Sequence, residues 1–372
     1  MRSYLDKMLV NGSDLGHEVV VVAPGPRDEE TKVGELGRIV RYRAPRMPYD
    51  PSYHAPIHVF RMRELVQRFA PDVLQISSPF IPLWVGATLK RVPLRSYVYH
   101  SDPIGCYVTP LALKSRAGRL LESAAWGYMR RVSAQCDVTV TASEWLAREI
   151  SSHGCERARA VPFGIDHEHF APSRRDESFR REILGDIADR PDARLLLIAG
   201  RLAADKRQAL LLEALQLLAA RRPIGLFLLG DGPERERLEA MGRTLPAFRA
   251  MRFTRDRAEY ARVLASADAL VHASRCETFG FVLAECLASG TPIVGPNAGA
   301  ATDLLGPGWS ETFDTRATPP EVAETIERLL QRPRTELSLA AAARTQTLPT
   351  TRGHFADLFA LYASLMTERS RV

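Results

Sequence analysis

Short runs of valine, isoleucine and leucine alternate along this chain with longer stretches of helical periodicity, the pattern of parallel strands joined by crossover helices. In the first half the strands read as His17–Pro24, Ile39–Arg43, Asp72–Ser77, Leu94–His100, Asp137–Thr141 and Ala158–Pro162, with helices over Ile57–Phe69, Ser115–Ala134 and Ser143–Ser152. The second half repeats the scheme without repeating the sequence. Arg194–Gly200, Ile224–Gly230, Ala269–Ala273 and Pro292–Gly295 read as strands; Gln208–Ala220, Glu234–Met241, Ala258–Ser266 and Phe281–Ser289 read as helices. With 372 residues the chain exceeds what one hydrophobic core usually organises. The expectation is an α/β protein of two doubly wound domains, residues 1–165 and 166–350, facing across a cleft. Pro162–Ser178 mixes proline, glycine and charge and reads as the linker. An amphipathic helix over Gly353–Arg369, in the tail 351–372, is a candidate to return to the first domain.

One absence bears on the first domain. A doubly wound domain normally opens with an apolar strand and a glycine-rich turn, whereas this chain begins inside a helix, Tyr4 to Val10, just ahead of Gly16. The first sheet is therefore expected to lack its usual opening strand, which raises a native start upstream of Met1.

Composition excludes more than it assigns. The formal net charge of +6 fits an anionic partner or simply a solubilising surface. Five cysteines, an odd number without CxxC spacing, point to a reduced cytoplasmic protein with no cysteine metal site. No apolar run reaches spanning length, and MRSYLDKMLVNGSDLG has no signal-peptide core. Contact with a membrane, if any, is expected to be peripheral.

Ligands of doubly wound sheets bind at the carboxyl ends of strands, so the loops there hold the candidates. Gly200-Arg201-Leu-Ala-Ala-Asp-Lys206 follows one strand and precedes a helix, which suits a diphosphate, although alone it is equally a solvated basic loop. Gly230-Asp-Gly-Pro233 is ordinary strand-to-helix punctuation. CETFGFVLAE places Glu277 in a strand-to-helix loop and Glu285 in the helix that follows. Backbone amides at Thr278, Phe279, Gly280 and Phe281 are candidate donors. A carboxylate at 285 suits a ribose diol, and one at 277 suits sugar hydroxyls or a developing cation. Taken alone, the pair reads as a helix-dipole glutamate and a surface glutamate. His100, ending LRSYVYH, is a cleft candidate, and Asp102 is either an acceptor-side residue or a turn cap. His167-Glu-His169 has no third ligand and reads as structural.

In order and spacing, GRL-x3-K, LLGDGP, E-TFGF-x3-E and GTPIVGPNAGA resemble the second domain of retaining glycosyltransferases of the group 1, family 4 type, related to glycogen synthase. LGHEVVVVAP, YHSDPIGCY and VPFGID extend the resemblance into the first half. It implies a glycosyltransferase B fold of two Rossmann-like domains, with a nucleoside-diphosphate sugar held by the second and the acceptor by the first. Arg201 and Lys206 would bind the diphosphate and assist its departure, Glu277 would hold the transferred sugar, and Glu285 the ribose. Phe279, Gly280 and Phe281 would offer backbone donors, and His100 would lie near the donor sugar. Asn297-Ala-Gly-Ala300 departs from the family's paired glycines. The implied reaction is retaining transfer from a UDP-sugar or GDP-mannose to a lipid or saccharide hydroxyl, with no metal or cofactor and no nucleic-acid partner. The acceptor side leans toward lipids and lipid-linked saccharides, to which a basic protein would gain access at the inner face of an anionic membrane. A phosphorylase or epimerase of the same fold and a noncatalytic nucleotide-binding protein are the alternatives.

Overall fold

The computed structural model describes residues 2–48, 53–254 and 256–370. The chain divides into two compact units, Met1–Gly164 with Thr351–Val372, and Ile165–Thr350.

In the first unit a helix, Arg2–Asp14, leads into β1 (Val19–Gly25), β2 (Glu29–Val33) and β3 (Gly37–Arg43), then β4 (Val73–Ile76), β5 (Leu94–Tyr99), β6 (Val138–Thr141) and β7 (Ala158–Ala160). These form two sheets, ordered β1-β3-β2 and β4-β5-β6-β7, parallel except for the β2–β3 pair. No described strand lies against the second edge of β1 or of β4. What joins the sheets is a shared apolar layer in which Val19 of β1, Leu94 and Val98 of β5, and Val138 and Val140 of β6 meet Met8 and Leu9.

The tail completes that layer. The helix Thr351–Ser370 lays Phe355, Leu358 and Tyr362 into it. The Tyr362 hydroxyl donates to Gln75 on β4 at 2.9 Å and contacts Ser96 on β5 at 3.0 Å, and Arg369 pairs with Asp137 at 2.9 Å. Helix starts are set locally: the Ser115 and Ser143 side chains accept from the amides of Gly118 and Leu146.

The second unit is one sheet, β10-β9-β8-β11-β12-β13, parallel throughout. Its strands are β8 (Arg194–Ala199), β9 (Ile224–Leu229), β10 (Ala247–Met251), β11 (Ala269–Val271), β12 (Ile293–Pro296) and β13 (Ser310–Phe313). The central strands are buried on both faces, which is why they read as uninterrupted apolar runs. The segment read as linker is mostly packed into this unit. Phe170 is buried against Tyr260, and Asp176 caps the helix Glu177–Leu184 by accepting from Ser178 and Phe179.

His354, at the start of the tail helix, lies among Tyr4, Phe163 and Phe355 with Nδ1 2.8 Å from the Pro162 carbonyl and Nε2 3.3 Å from the Tyr4 hydroxyl. Burial pushes its pKa down to about 4, against the opposing pull of the Pro162 hydrogen bond and the Asp357 charge. The folded state thus keeps the imidazole neutral where the unfolded chain protonates it, so stability present above the unfolded pKa near 6.5 falls as pH drops toward 4. The loss amounts to roughly 3 kcal/mol at most. Thermal unfolding of the full chain between pH 7.5 and 5 should show this decline, and His354→Gln should flatten it. An unchanged slope in the variant would remove His354 from the account.

Candidate active site

The loops that follow β8 and β9 are fastened backbone to backbone. Gly200 donates to the Leu229 carbonyl at 3.0 Å, Leu202 to Asp231 at 2.9 Å, and Glu234 to Leu202 at 3.1 Å. This approach demands glycine. A Cβ on Gly230 would stand 1.9 Å from the Gly200 carbonyl oxygen, and one on Gly232 would stand 2.2 Å from that of Leu202. Gly200 itself has φ +125° but open space around it. The Gly-Asp-Gly-Pro turn, read from sequence as simple punctuation, is what packs the Arg201–Lys206 loop into place.

On that loop the two predicted cations differ. Arg201 is exposed and its guanidinium grips both oxygens of Asp205, at 2.9 and 2.8 Å. Lys206 ends a short 3-10 turn, and its Nζ donates to Glu277 Oε1 at 2.6 Å and to Ser274 Oγ at 3.2 Å. Because β8 and β11 are neighbours in the sheet, their carboxyl-end loops lie side by side, and this contact is the result.

Glu277 is largely buried, and His272 Nε2 sits 3.4 Å from the same oxygen. Burial alone would raise the carboxyl pKa, yet the His272 and Lys206 contacts outweigh it and hold Glu277 well below the usual carboxylate range. It is therefore ionised at any physiological pH. His272 and Ser274 were not singled out in the sequence. They lie in ALVHAS, a stretch that reads as strand core, and only the pairing of β11 with its neighbours gives them a role.

Two further arginines went unread. Arg207 occupies the left-handed region at φ 56°, and its Nη1 is buried without a partner, as is Nε of Arg275. Burial and the nearby Arg275 charge both lower the pKa of Arg207. In Arg275 the remaining guanidinium is engaged, Nη2 donating to the Thr315 carbonyl.

Beyond Glu277 the chain turns through Gly280, at φ +85°, into the helix Phe281–Ala288. Phe279 is buried and Phe281 partly exposed, their rings 5.1 Å apart, so the phenylalanines anchor a loop whose backbone faces the helix start. Thr278 lies in this loop. Glu285, two turns along, accepts from the Tyr260 hydroxyl at 2.7 Å. Tyr260 is itself wedged between Phe170 and Phe253. The Asn297–Ala300 loop carries its required glycine at Gly299, φ +66°, where a Cβ would meet the Arg275 carbonyl at 2.6 Å; Ala300 donates its amide to the Glu277 carbonyl at 3.2 Å. The family's second glycine is not needed for this backbone path.

His100 and Asp102 belong to the first unit, after β5. Burial pushes His100 down to about 4, opposed by a backbone hydrogen bond at Ser77, so it is a neutral imidazole at pH 7. Asp102 is buried and accepts from the Tyr99 hydroxyl at 2.9 Å and from the Gly105 amide at 3.0 Å. Its carboxylate caps the turn that begins the 104–112 helical segment. Among the described residues no group of three or more His, Cys, Asp or Glu is placed to hold a metal ion, and His169 contacts the Arg257 carbonyl at 2.6 Å.

Cations, a buried carboxylate and a helix start thus lie at the carboxyl ends of adjacent parallel strands, and comparison with known proteins gives the family. The chain matches glycosyl transferases group 1 over residues 179–346 and glycosyltransferase family 4 over residues 4–169. It is 32% identical to a GDP-mannose-dependent alpha-mannosyltransferase of Mycobacterium tuberculosis, covering 81% of this chain and 76% of that protein. A GDP-mannose-dependent alpha-(1-6)-phosphatidylinositol dimannoside mannosyltransferase of the same species is 26% identical, covering 99% and 94%. In fold, the sucrose-phosphate synthase of Thermosynechococcus elongatus superposes with a TM-score of 0.76 at 18% identity, over 98% of this chain and 93% of that one. The protein belongs to glycosyltransferase family 4, has the glycosyltransferase B fold and is a hexosyltransferase.

The loop packing makes a direct prediction. Gly230→Ala must push the β8 and β9 loops apart, whereas Gly200→Ala adds only backbone strain of about 1–3 kcal/mol. Thermal unfolding should show the Gly230 variant to be the less stable of the two; equal melting temperatures would mean that the loops are not held by this approach.

Proposed function

We propose that the enzyme transfers mannose from GDP-mannose to a hydroxyl of a lipid or lipid-linked saccharide with retention of anomeric configuration, without a metal ion, at the cytoplasmic face of a membrane. The 2.6 Å contact between Lys206 and Glu277 carries the mechanistic reading, because it sets a phosphate-binding cation beside an ionised carboxylate. The relatives' GDP-mannose dependence supports the choice of donor. The phosphatidylinositol dimannoside relative supports a lipid acceptor.

In this mechanism the donor diphosphate engages Lys206, Arg201 and the partnerless donors of Arg207 and Arg275. Arg201 gives up Asp205 for it, a cheap exchange at an exposed site. Four cations supply the charge neutralisation that a divalent ion provides elsewhere. As the bond from the anomeric carbon to the phosphate oxygen breaks, Glu277, fully ionised, holds the sugar hydroxyls and favours the positive charge growing on the ring. The acceptor oxygen bonds to the anomeric carbon on the face the phosphate leaves, and its proton passes to a phosphate oxygen. His100, being neutral, would act as a hydrogen-bonding group rather than as a cation. Glu285, fixed by Tyr260, takes the two ribose hydroxyls.

The direct test is transfer from GDP-mannose in the presence of a chelator, compared with UDP-sugars, with NMR of the product's anomeric proton. An α-linked product from the α-linked donor is expected. Phosphate-dependent product or donor interconversion without an acceptor would replace this reading by a phosphorylase or an epimerase.

Two substitutions separate chemistry from folding. Arg201→Ala should lower kcat/KM about 10²-fold with an unchanged Tm, since the exposed Arg201 side chain has only Asp205 as a partner among the described residues. Lys206→Ala strands Glu277 in a buried site and should lower both activity and Tm; adding Glu277→Gln should restore Tm but not activity. Normal turnover in either Lys206 variant would rule out the phosphate role.

Tyr260→Phe should weaken GDP binding roughly fivefold while leaving 2′-deoxy-GDP nearly unaffected, because only the diol loses an oriented carboxylate. Equal losses for both nucleotides in calorimetry would reduce Tyr260 to a packing residue.

A further inference from the structure

One buried group at Glu277 has no part in the reaction as described. His272 lies one residue past β11, is 7% exposed, and is fixed by its amide, which donates to the Val294 carbonyl of β12 at 2.9 Å. Its Nε2 stands 3.4 Å from Glu277 Oε1, yet makes no hydrogen bond among the described residues. Buried polar atoms are nearly always paired, and this one is left over within reach of a buried carboxylate.

The same carboxylate oxygen is held by Lys206 Nζ at 2.6 Å, and Nζ also reaches Ser274 Oγ at 3.2 Å. In the sheet β11 is flanked by β8 and β12, so the charges around His272 come from three loops. The loop after β8 brings Lys206 and Arg207, the loop after β11 brings Arg275 and Glu277, and the Asn297–Ala300 loop after β12 brings none. Of these, Lys206 and His272 are the two that meet Oε1.

A diphosphate at Lys206 disturbs this balance. It adds negative charge beside Glu277 and draws the ammonium toward itself, and a buried carboxylate left without a cation is strongly unfavourable. Lys206 already carries its proton and Ser274 has none to gain. An imidazole is the side chain that can acquire a charge near neutral pH. The carboxyl itself resists protonation, since its contacts hold it well below the usual carboxylate range.

We propose that His272 takes over Glu277 when the donor diphosphate engages Lys206: the ring binds one proton from solvent, and Nε2–H then donates to Glu277 Oε1. The carboxylate thereby stays ionised and in place for the transferred sugar, and the proton returns to solvent when the nucleotide leaves. His272 is a positioning residue, acting through Glu277. The inference rests on the reading of Lys206 as the phosphate-binding cation.

The test is calorimetry of GDP binding to the full chain at pH 8, in Tris and in HEPES, whose ionisation enthalpies differ. Phosphate groups are ionised at that pH and release no protons of their own on binding. Uptake of about one proton per GDP is expected, so the dissociation constant should rise by up to about tenfold per pH unit between pH 7.5 and 8.5. His272→Gln and Glu277→Gln should each bind GDP without proton uptake. Binding without uptake in the wild type, or uptake that persists in His272→Gln, overturns the proposal.

A second measurement needs no nucleotide. The Tm deficit of Lys206→Ala relative to wild type should narrow as pH falls from 8.5 to 6.5, because His272 gains its proton beside Glu277 in the folded variant. In Lys206→Ala with His272→Gln the deficit should not narrow. A deficit independent of pH in the single variant also overturns the proposal. If GDP does not bind at all, the phosphate reading of Lys206 fails, and the Tm series still decides whether His272 can take over Glu277.

Discussion

A carboxylate can be buried at the end of a parallel strand only if something cancels its charge, and in this protein that requirement draws the site together. Glu277 lies in the loop after β11, and its oxygen is met by Lys206 from the loop after β8 and by His272 from the end of its own strand. Each loop must then hold its shape. The Lys206 loop does so by packing against the β9 turn through Gly230 and Gly232. The Glu277 loop does so by giving its carbonyl to Ala300, beside the Gly299 turn that lies close to the Arg275 carbonyl. Four loops from four strands are thus fastened around one ion pair.

The opposite end of β11 shows what a purely structural version of the same device looks like. Asp268 is just as buried, yet it takes Arg175 at 3.2 Å, Arg180 at 2.8 Å and the Leu195 amide at 2.8 Å. Burial is overcome mainly by Arg180, and the carboxyl is held below its ordinary range. Arg334 lies near Asp268 as well, with its Nε buried and without a partner among the described residues. At the carboxyl end, guanidinium N–H groups of Arg207 and Arg275 are likewise buried without partners among the described residues.

The chain's cations stand in different settings. Lys206 and Arg207 are partly buried neighbours on one loop and Arg275 is close enough to lower the pKa of Arg207, whereas Arg201 is exposed and held by Asp205. Lys114, Arg116 and Arg119 lie at and just before the start of the helix Arg116–Ala134 and are in no salt bridge among the described residues. A net charge of +6 contains both and distinguishes neither.

What the sequence determined by itself follows from burial. Strands β8 and β9, enclosed on both faces, had to be written as unbroken apolar runs, and the serine caps at 115 and 143 act within a few residues, so these elements were legible directly. The strands that escaped reading, β2, β10 and β13, are all at sheet edges, where EETKV and SETF carry polar side chains and AFRAM is broken by the exposed Arg249, so that no unbroken apolar run marks them. The helix Ile81–Thr88 escaped for the opposite reason: IPLWVGAT is apolar throughout and has no helical period to detect. The order of motifs around Arg201, Lys206, Glu277 and Glu285 was likewise in the sequence. Tertiary structure alone decided that Lys206 closes on Glu277 across 71 intervening steps of chain, that Tyr260 fixes Glu285, and that Asp102 spends its carboxylate on a turn. Those pairings depend on which strands are neighbours in a sheet, and strand order is set by the packing of the whole unit rather than by any local run of residues.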